Sequence, residues 1–127
     1  MTSVVLDSSA VLAVIHNEPG VDIVIAALGD AILSVVNYAE IVSKLVERRV
    51  TNEMAVLAIQ KIAPRVIDYD IHLAARTGFL RAQTIRQGLS LADRACLALA
   101  EREGLPALTA DRKWAKLDLG IDIRLIR

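Results

Sequence analysis

Short apolar segments alternate with longer segments whose apolar residues recur at helical spacing. The short segments predict buried strands, at positions 4–6, 31–34, 65–67, 106–109 and 121–125. The longer segments predict helices between the strands, including one long helix at 70–86 that ends before Gly88. This alternation favours an α/β fold, a three-layer α/β/α sandwich around a mostly parallel sheet of about four or five strands.

Composition defines the size and content of the core. The 127 residues fit one domain, which we expect to span positions 1–127. Hydrophobic residues make up 54% of the chain but aromatic residues only 3%, so the core should consist of Leu, Ile, Val and Ala. The single Cys96 excludes an internal disulfide. No segment resembles a signal peptide or a membrane span, and we therefore expect a cytoplasmic protein with no membrane partner.

Net charge gives no sign of a nucleic-acid partner, because fifteen basic residues balance fifteen acidic ones. The balance changes if several carboxylates hold a metal ion, since the basic residues are then in excess. Most of these bases are arginine, whose guanidinium group suits bidentate contact with phosphate. Charge alone thus neither supports nor excludes a phosphate-bearing substrate.

Four acidic residues occupy positions where a ligand could bind. Asp7 and Asp111 each follow a predicted strand and precede a helix, which places them at the carboxyl edge of a parallel sheet, where such folds bind ligands. Asp93 lies near the start of an apolar helix, and an unpaired carboxylate on that face would cost several kcal/mol. Glu40 lies on the predicted helix at 36–48.

Each acid also has a purely structural interpretation. The two acids at strand ends could cap the helices that follow them, although the serines after Asp7 could do so equally well. Ser90 and Asp93 have the spacing of a capping box. Glu40 could form an ion pair with Lys44 on a solvated helix face. For a single acid, these interpretations compete closely with a functional one.

The combination of acids is more informative than any one of them. A parallel sheet brings strand ends and helix starts together, and carboxylates at close range raise one another's pKa unless a cation lies between them. Ligands that are all oxygen, without His or Cys, select hard cations such as Mg²⁺ or Mn²⁺. Our hypothesis is therefore a magnesium site built from Asp7, Glu40, Asp93 and Asp111.

Four segments of the chain carry a family resemblance. They are VVLDSSAVLAVIHNEPG, LSVVNYAEIVSKL, LSLADRACLALAEREGLPALTADRKW and IDIRLI. In their order and spacing they resemble PIN-domain ribonucleases, and more narrowly the VapC-type toxins of bacterial toxin–antitoxin pairs. The resemblance covers nearly the whole chain and implies a PIN-like fold.

The resemblance also implies a function. The resemblance implies that the protein is the toxin of a type II toxin–antitoxin system. It further implies a metal-dependent endoribonuclease, which cleaves RNA phosphodiester bonds with a water activated by Mg²⁺. It implies a cognate VapB-type antitoxin and a homodimer. The implied catalytic and metal-binding residues are Asp7, Glu40, Asp93 and Asp111. Asn37 and Thr109 match polar positions of the family and are candidates for ordering the site from outside the ligand set.

Other functions remain open at this point. His16 and His72 could act as a metal-free acid–base pair if the fold brought them together. A receiver-like signalling domain has a similar length and similar layers, with Asp68 as a conceivable phosphoacceptor. A module that binds RNA or a protein partner through an inactive site is a further alternative, against which the presence of all four acids argues.

Overall fold

The computed structural model describes residues 3–62 and 64–127. A five-stranded sheet with the order β3-β2-β1-β4-β5 forms its centre, and every pair of neighbouring strands is parallel. The strands are β1 (Val4–Leu6), β2 (Ala31–Ser34), β3 (Arg65–Ile67), β4 (Ala107–Thr109) and β5 (Ile123–Leu125). The predicted sheet is confirmed, and the last strand lies at an edge.

Seven α-helices surround the sheet in the described part of the chain. They are α1 (Ser8–Ile15), α2 (Val21–Ala27), α3 (Val35–Glu47), α4 (Asn52–Ile62), α5 (Ile71–Phe79), α6 (Arg81–Thr84) and α7 (Leu91–Glu103). Short 3-10 helices cover Leu28–Asp30, Ile85–Gln87 and Arg112–Lys116. None of the helices between residues 3 and 127, with position 63 set aside, is long and apolar enough to cross a bilayer.

Alternation along the strands produces a separate core on each face of the sheet. Val4 and Leu6 of β1 pack with side chains of α1 to α4, whereas Val5 between them packs with side chains of α5 and α7. Successive residues of a strand point to opposite faces, so a run that is apolar throughout must be covered on both sides. The three-layer α/β/α architecture is thereby confirmed.

The long helix predicted at 70–86 is wrong in one respect, because the chain forms two helices and a 3-10 turn there. The break falls at Leu80, whose side chain is buried. Thr77 and Thr84 turn their hydroxyls back onto the carbonyls of Leu73 and Leu80, at 2.7 and 2.8 Å. Such bonds within a helix compete with its backbone pattern and often bend it.

The strand order fixes where a ligand can bind. The chain passes from β1 to β2 and β3 on one side, and β4 and β5 lie on the other side of β1. Strand order therefore reverses between β1 and β4, and open parallel sheets bind ligands in the crevice beyond the carboxyl ends at such a point. Leu6 of β1 is in register with Leu108 of β4, so the residues that follow these strands face the same crevice.

Candidate functional site

Asp7 lies at the base of this crevice and is only 2% exposed. Its backbone N–H donates to the carbonyl of Leu108 at 2.9 Å, which extends the pairing of β1 and β4 by one residue. Asp7 also occupies the N-cap position of α1, but its side chain forms no capping hydrogen bond. Its Oδ2 accepts hydrogen bonds from Ser9 at 2.6 Å and from Thr109 at 2.8 Å. The capping interpretation is therefore wrong for Asp7.

The second carboxylate oxygen of Asp7 is buried and has no hydrogen-bond partner among the described residues. Burial raises the pKa of Asp7 from 3.8 to about 6, although the bond from Ser9 lowers it. The nearby charge of Asp93 raises it further, the bond from Thr109 lowers it and the charge of Glu40 raises it. A carboxylate held this way is costly when charged, unless a positive ligand reaches its free oxygen.

The hydroxyls of Ser9 and Thr109 are both committed to Asp7. A hydroxyl has one proton to donate, so their mutual contact at 3.2 Å carries no hydrogen bond while both donate to the carboxylate. Their lone pairs accept backbone N–H groups instead, from Ala110 to Ser9 at 2.9 Å and from Asp111 to Thr109 at 3.0 Å. These bonds tie the chain after β4 to the chain after β1.

Replacing Thr109 with Val should raise the pKa of Asp7 further and lower the free energy of unfolding by about 1–3 kcal/mol, since the buried Asp7 carboxylate and the partly buried Asp111 N–H each lose a hydrogen bond. The pKa can be followed by NMR titration of the Asp7 carboxyl and the stability by urea unfolding. Thr77→Val is the matched control, because Thr77 is equally buried but its hydroxyl bonds only to a carbonyl of its own helix. Equal losses in both variants would contradict this role of Thr109.

Asp93 lies in the first turn of α7 and completes a capping box with Ser90. The Ser90 N–H donates to Asp93 Oδ2 at 2.9 Å, and the Asp93 N–H donates to Ser90 Oγ at 3.1 Å. The structural interpretation of this acid is therefore correct, yet it is incomplete. The side chain is partly buried, and burial raises the pKa of Asp93 while the bonds from Ser90 lower it and the charges of Glu40 and Asp111 raise it.

Glu40 lies one turn into α3, the helix that follows β2, and is half-buried. Among the salt bridges of the described residues, 3–62 and 64–127, none joins Glu40 to Lys44. The solvated ion pair considered from sequence is therefore wrong. Its charge instead acts on Asp7 and Asp93, whose pKa values it raises.

Asn37 is fully buried and connects the segments that carry the acids. Its Nδ2 donates to Ser8 Oγ at 3.0 Å, beside Asp7, and to the carbonyl of Ala92 at 3.2 Å, beside Asp93. Asn37 therefore fixes α3 against the starts of α1 and α7. Within the described residues, its Oδ1 is buried without a partner.

Asp111 follows β4 and is the N-cap of the 3-10 helix Arg112–Lys116. Its Oδ1 accepts from the Lys113 N–H at 3.0 Å, and its Oδ2 lies 3.9 Å from the Lys113 ammonium group. The capping interpretation is correct here. Its charge nevertheless reaches the crevice, since it raises the pKa of Asp93.

All four predicted acids thus come from segments near the carboxyl edge of the sheet and influence one another electrostatically. The charges of Asp93 and Glu40 act on Asp7, and those of Glu40 and Asp111 act on Asp93. Their side chains are not drawn into a ready-made metal cluster: in residues 3–62 and 64–127, no three Asp, Glu, His or Cys groups are placed to hold an ion. The Asp93 and Asp111 carboxylates instead accept backbone N–H groups, from Ser90 and Lys113. Their assignment as metal ligands stays a prediction.

The sequence interpretation missed the roles of Ser8 and Ser9. The sequence predicts helix capping for both, but Ser9 donates to Asp7 and accepts from the chain after β4, and Ser8 accepts from Asn37. The sequence contains one signal for these roles, which is the pair of serines directly after an acid at the end of a strand. Cys96 is fully buried, and burial raises the pKa of its thiol well above the ordinary value, which agrees with its place in the core.

Two of the alternatives do not fit the structure. His16 lines a depression with Glu18 and Arg48, whereas His72 lines a different one with Arg76, so the fold does not bring the histidines together. Asp68 follows β3, which is an edge strand, and is exposed. A receiver-like acceptor would have to end a central strand.

Comparison with known proteins gives one family. Residues 4–119 match the model of the PIN domain. No curated protein gives a significant match.

Several solved structures share the fold along the full length of the chain. DNA-bound VapBC from Salmonella typhimurium matches with a TM-score of 0.78 and 22% identity, over 100% of both chains. VapBC2 from Rickettsia felis, bound to a promoter DNA fragment, matches with a TM-score of 0.74 and 16% identity, over 98% of both. VapBC-5 from Mycobacterium tuberculosis has a TM-score of 0.66 and 22% identity, over 100% of this chain and 99% of that one. At these identities the likeness establishes the fold.

Proposed function

The chain belongs to the PIN-domain family, and from this premise we propose that it is a metal-dependent endoribonuclease, the VapC-type toxin of a type II toxin–antitoxin pair. One observation carries the proposal. Four acids from separate segments influence one another electrostatically at the carboxyl edge of the sheet, and the buried Asp7 keeps an oxygen that has no partner among the described residues; the four are Asp7, Glu40, Asp93 and Asp111. Helix capping alone does not explain why these four acids lie close enough to influence one another.

The donor set fits a hard divalent cation, which we propose to be Mg²⁺ or Mn²⁺. All four candidates offer carboxylate oxygens, and neither His nor the buried Cys96 thiol competes for the ion. The free oxygen of Asp7 supplies a fixed ligand, while the Asp93 and Asp111 side chains have exposed surface and can turn toward the ion. When bound, the cation would supply Lewis-acid activation of water and neutralise charge on the scissile phosphate.

The residues around the acids would keep the site in order. Ser9 and Thr109 hold one oxygen of Asp7, so its other oxygen points in a fixed direction. Asn37 holds α3 against the starts of α1 and α7 and thereby positions Glu40 relative to Asp7 and Asp93. Glu40, which has no ion-pair partner in residues 3–62 and 64–127, is free to orient the attacking water or complete the ligand set.

The proposal includes partners. The structures with this fold named above are VapBC complexes, which supports a VapB-type antitoxin as partner of this chain. We also propose a homodimer, a cytoplasmic location and a single domain over 1–127. An RNA substrate is proposed rather than DNA because the toxins that the chain resembles cleave RNA.

The purified protein should cleave RNA only when a divalent cation is present. Total cellular RNA is incubated with the protein in EDTA, and then with Mg²⁺ or Mn²⁺ in excess, and new RNA ends are sequenced. We expect no cleavage in EDTA and site-specific ends after the metal is added. Cleavage that survives EDTA would overturn the metal mechanism. RNA binding without cleavage under any metal would favour the inactive binding module instead.

A further inference from the structure

Beside the acidic crevice lies a second cleft of strongly basic character. It has a volume of about 510 Å³ and is lined by Arg86, Gln87, Arg112, Lys113 and Lys116. Its walls are two short 3-10 helices that pack against each other, Ile85–Gln87 and Arg112–Lys116. We propose that this basic cleft binds the sugar–phosphate backbone of single-stranded RNA next to the bond that is cleaved; the proposal rests on the proposed function.

The charge of the basic cleft is unusual for this protein. The chain as a whole carries no net charge, yet four basic side chains and no acidic one line the cleft. Arg86, Arg112 and Lys116 are exposed and have no salt-bridge partner anywhere in residues 3–62 and 64–127. Unpaired cations gathered in a concave surface attract a polyanion and release its counterions on binding.

The position of the cleft links it to the acids. Arg112 and Lys113 directly follow Asp111, and Lys113 reaches back to the Asp111 carboxylate. On the opposite wall, Arg86 and Gln87 precede the Gly88 turn, which leads to the capping box of Ser90 and Asp93. Each wall is therefore continuous with one of the proposed metal-binding acids, and a strand of phosphates in the cleft would run toward the crevice.

The chemistry of the lining favours backbone contact over base reading. Arginine forms bidentate hydrogen bonds with phosphate, and lysine adds a mobile point charge. Gln87 also lines the cleft, with its amide oxygen buried. None of these lining residues is aromatic, so the cleft offers no platform on which bases would stack. We therefore expect binding with little dependence on sequence and a strong dependence on salt.

The test removes three unpaired charges together, in the variant Arg86→Gln/Arg112→Gln/Lys116→Gln. Binding of a fluorescein-labelled single-stranded RNA of mixed sequence is measured by fluorescence anisotropy in EDTA, where the proposed chemistry is off. We expect affinity to fall about tenfold or more. The slope of log affinity against log salt should become shallower by about 2, because each of the three lost phosphate contacts contributes roughly 0.7 to it. Circular dichroism confirms that the variant is folded.

The charge-matched control is Arg48→Gln/Arg49→Gln/Lys61→Gln, which changes exposed residues just beyond the end of α3 and at the end of α4, away from the proposed acids. This control should bind RNA like the wild type. Equal weakening in both variants, or unchanged binding in the cleft variant, would overturn the proposal.

A second measurement separates this inference from the proposed function. Hydrolysis of bis(p-nitrophenyl) phosphate with Mn²⁺ reports on the acids without needing an RNA backbone, and the cleft variant should keep wild-type turnover within about twofold, since small substrates make none of the remote contacts. Loss of this turnover in the cleft variant would place its residues in the catalytic machinery and contradict a backbone-binding role. If the wild type binds RNA through the cleft but hydrolyses neither substrate, the nuclease proposal fails and the cleft proposal stands.

Discussion

Replacing Asp93 with Asn should lower the rate of metal-dependent RNA cleavage at least about 100-fold, equivalent to about 2.7 kcal/mol of transition-state stabilisation, and should leave the protein folded. The amide oxygen of Asn can still accept the hydrogen bond from the Ser90 N–H, so the cap of α7 survives. What is lost is the negative charge facing the crevice. Cleavage is measured at saturating Mg²⁺ and folding by thermal unfolding.

Asp70→Asn is the matched control for this experiment. Asp70 is also an aspartate at the start of a helix, and its Oδ1 accepts from the Leu73 N–H at 2.9 Å. Its charge faces Arg102 at 3.6 Å rather than the acidic crevice. The control loses the same charge and keeps the same kind of cap, so we expect cleavage within about twofold of the wild type, as for surface substitutions remote from a site. If Asp93→Asn cleaves RNA at the wild-type rate, the assignment of Asp93 to the site is wrong.

Replacing Asp7 with Asn should abolish cleavage and also change how the stability of the metal-free protein depends on pH. The folded protein raises the pKa of Asp7 from 3.8 to about 6. The folded state therefore binds the proton more tightly than the unfolded state does. The resulting stability is fully present below pH 3.8, and it is lost as pH rises toward 6 and beyond.

The size of this effect follows from the shift. In EDTA, the wild type should lose about 2–3 kcal/mol of stability relative to Asp7→Asn between pH 4 and pH 8. The Asn amide is a buried polar group and has a fixed cost of its own. That cost does not vary with pH and cancels in the difference. Urea unfolding of both variants across this range measures the effect.

Added Mg²⁺ gives the complementary result. A ligand that binds only the folded state stabilises it by mass action, so Mg²⁺ at pH 8 should raise the stability of the wild type and not that of Asp7→Asn. A stability difference that is constant from pH 4 to pH 8 would show that Asp7 is not held in a buried, charged state. Equal stabilisation of both proteins by Mg²⁺ would place the ion elsewhere.

The sequence predicted the strands well because their signal is local. Val4–Leu6 and Ala31–Ser34 are short, largely apolar runs, and both form strands where the pattern indicates. The break at Leu80 was not predictable in the same way. It depends on a buried side chain and on threonine hydroxyls that bond within the helix, neither of which alters the helical spacing of the apolar residues.

The acids of the site were predictable, but the network that holds them was not. Asp7 and Asp111 follow strands, which a parallel sheet must bring to one edge. The bond between Thr109 and Asp7 joins residues 102 positions apart, and no local pattern predicts such a partner. Asp93 shows the opposite limitation. Its capping box is visible in the sequence and real in the structure, and it does not exclude a second role.

β1 pairs with β4, a strand 102 positions further along the chain, and this has a consequence for synthesis. β1 cannot complete its pairing until β4 has emerged, and Asp111 follows β4. A nascent or truncated chain that stops short of this point lacks both the wall of the crevice and one of its acids. Contacts of such long range form late in folding. The complete set of four acids therefore comes together only after Asp111 has left the ribosome.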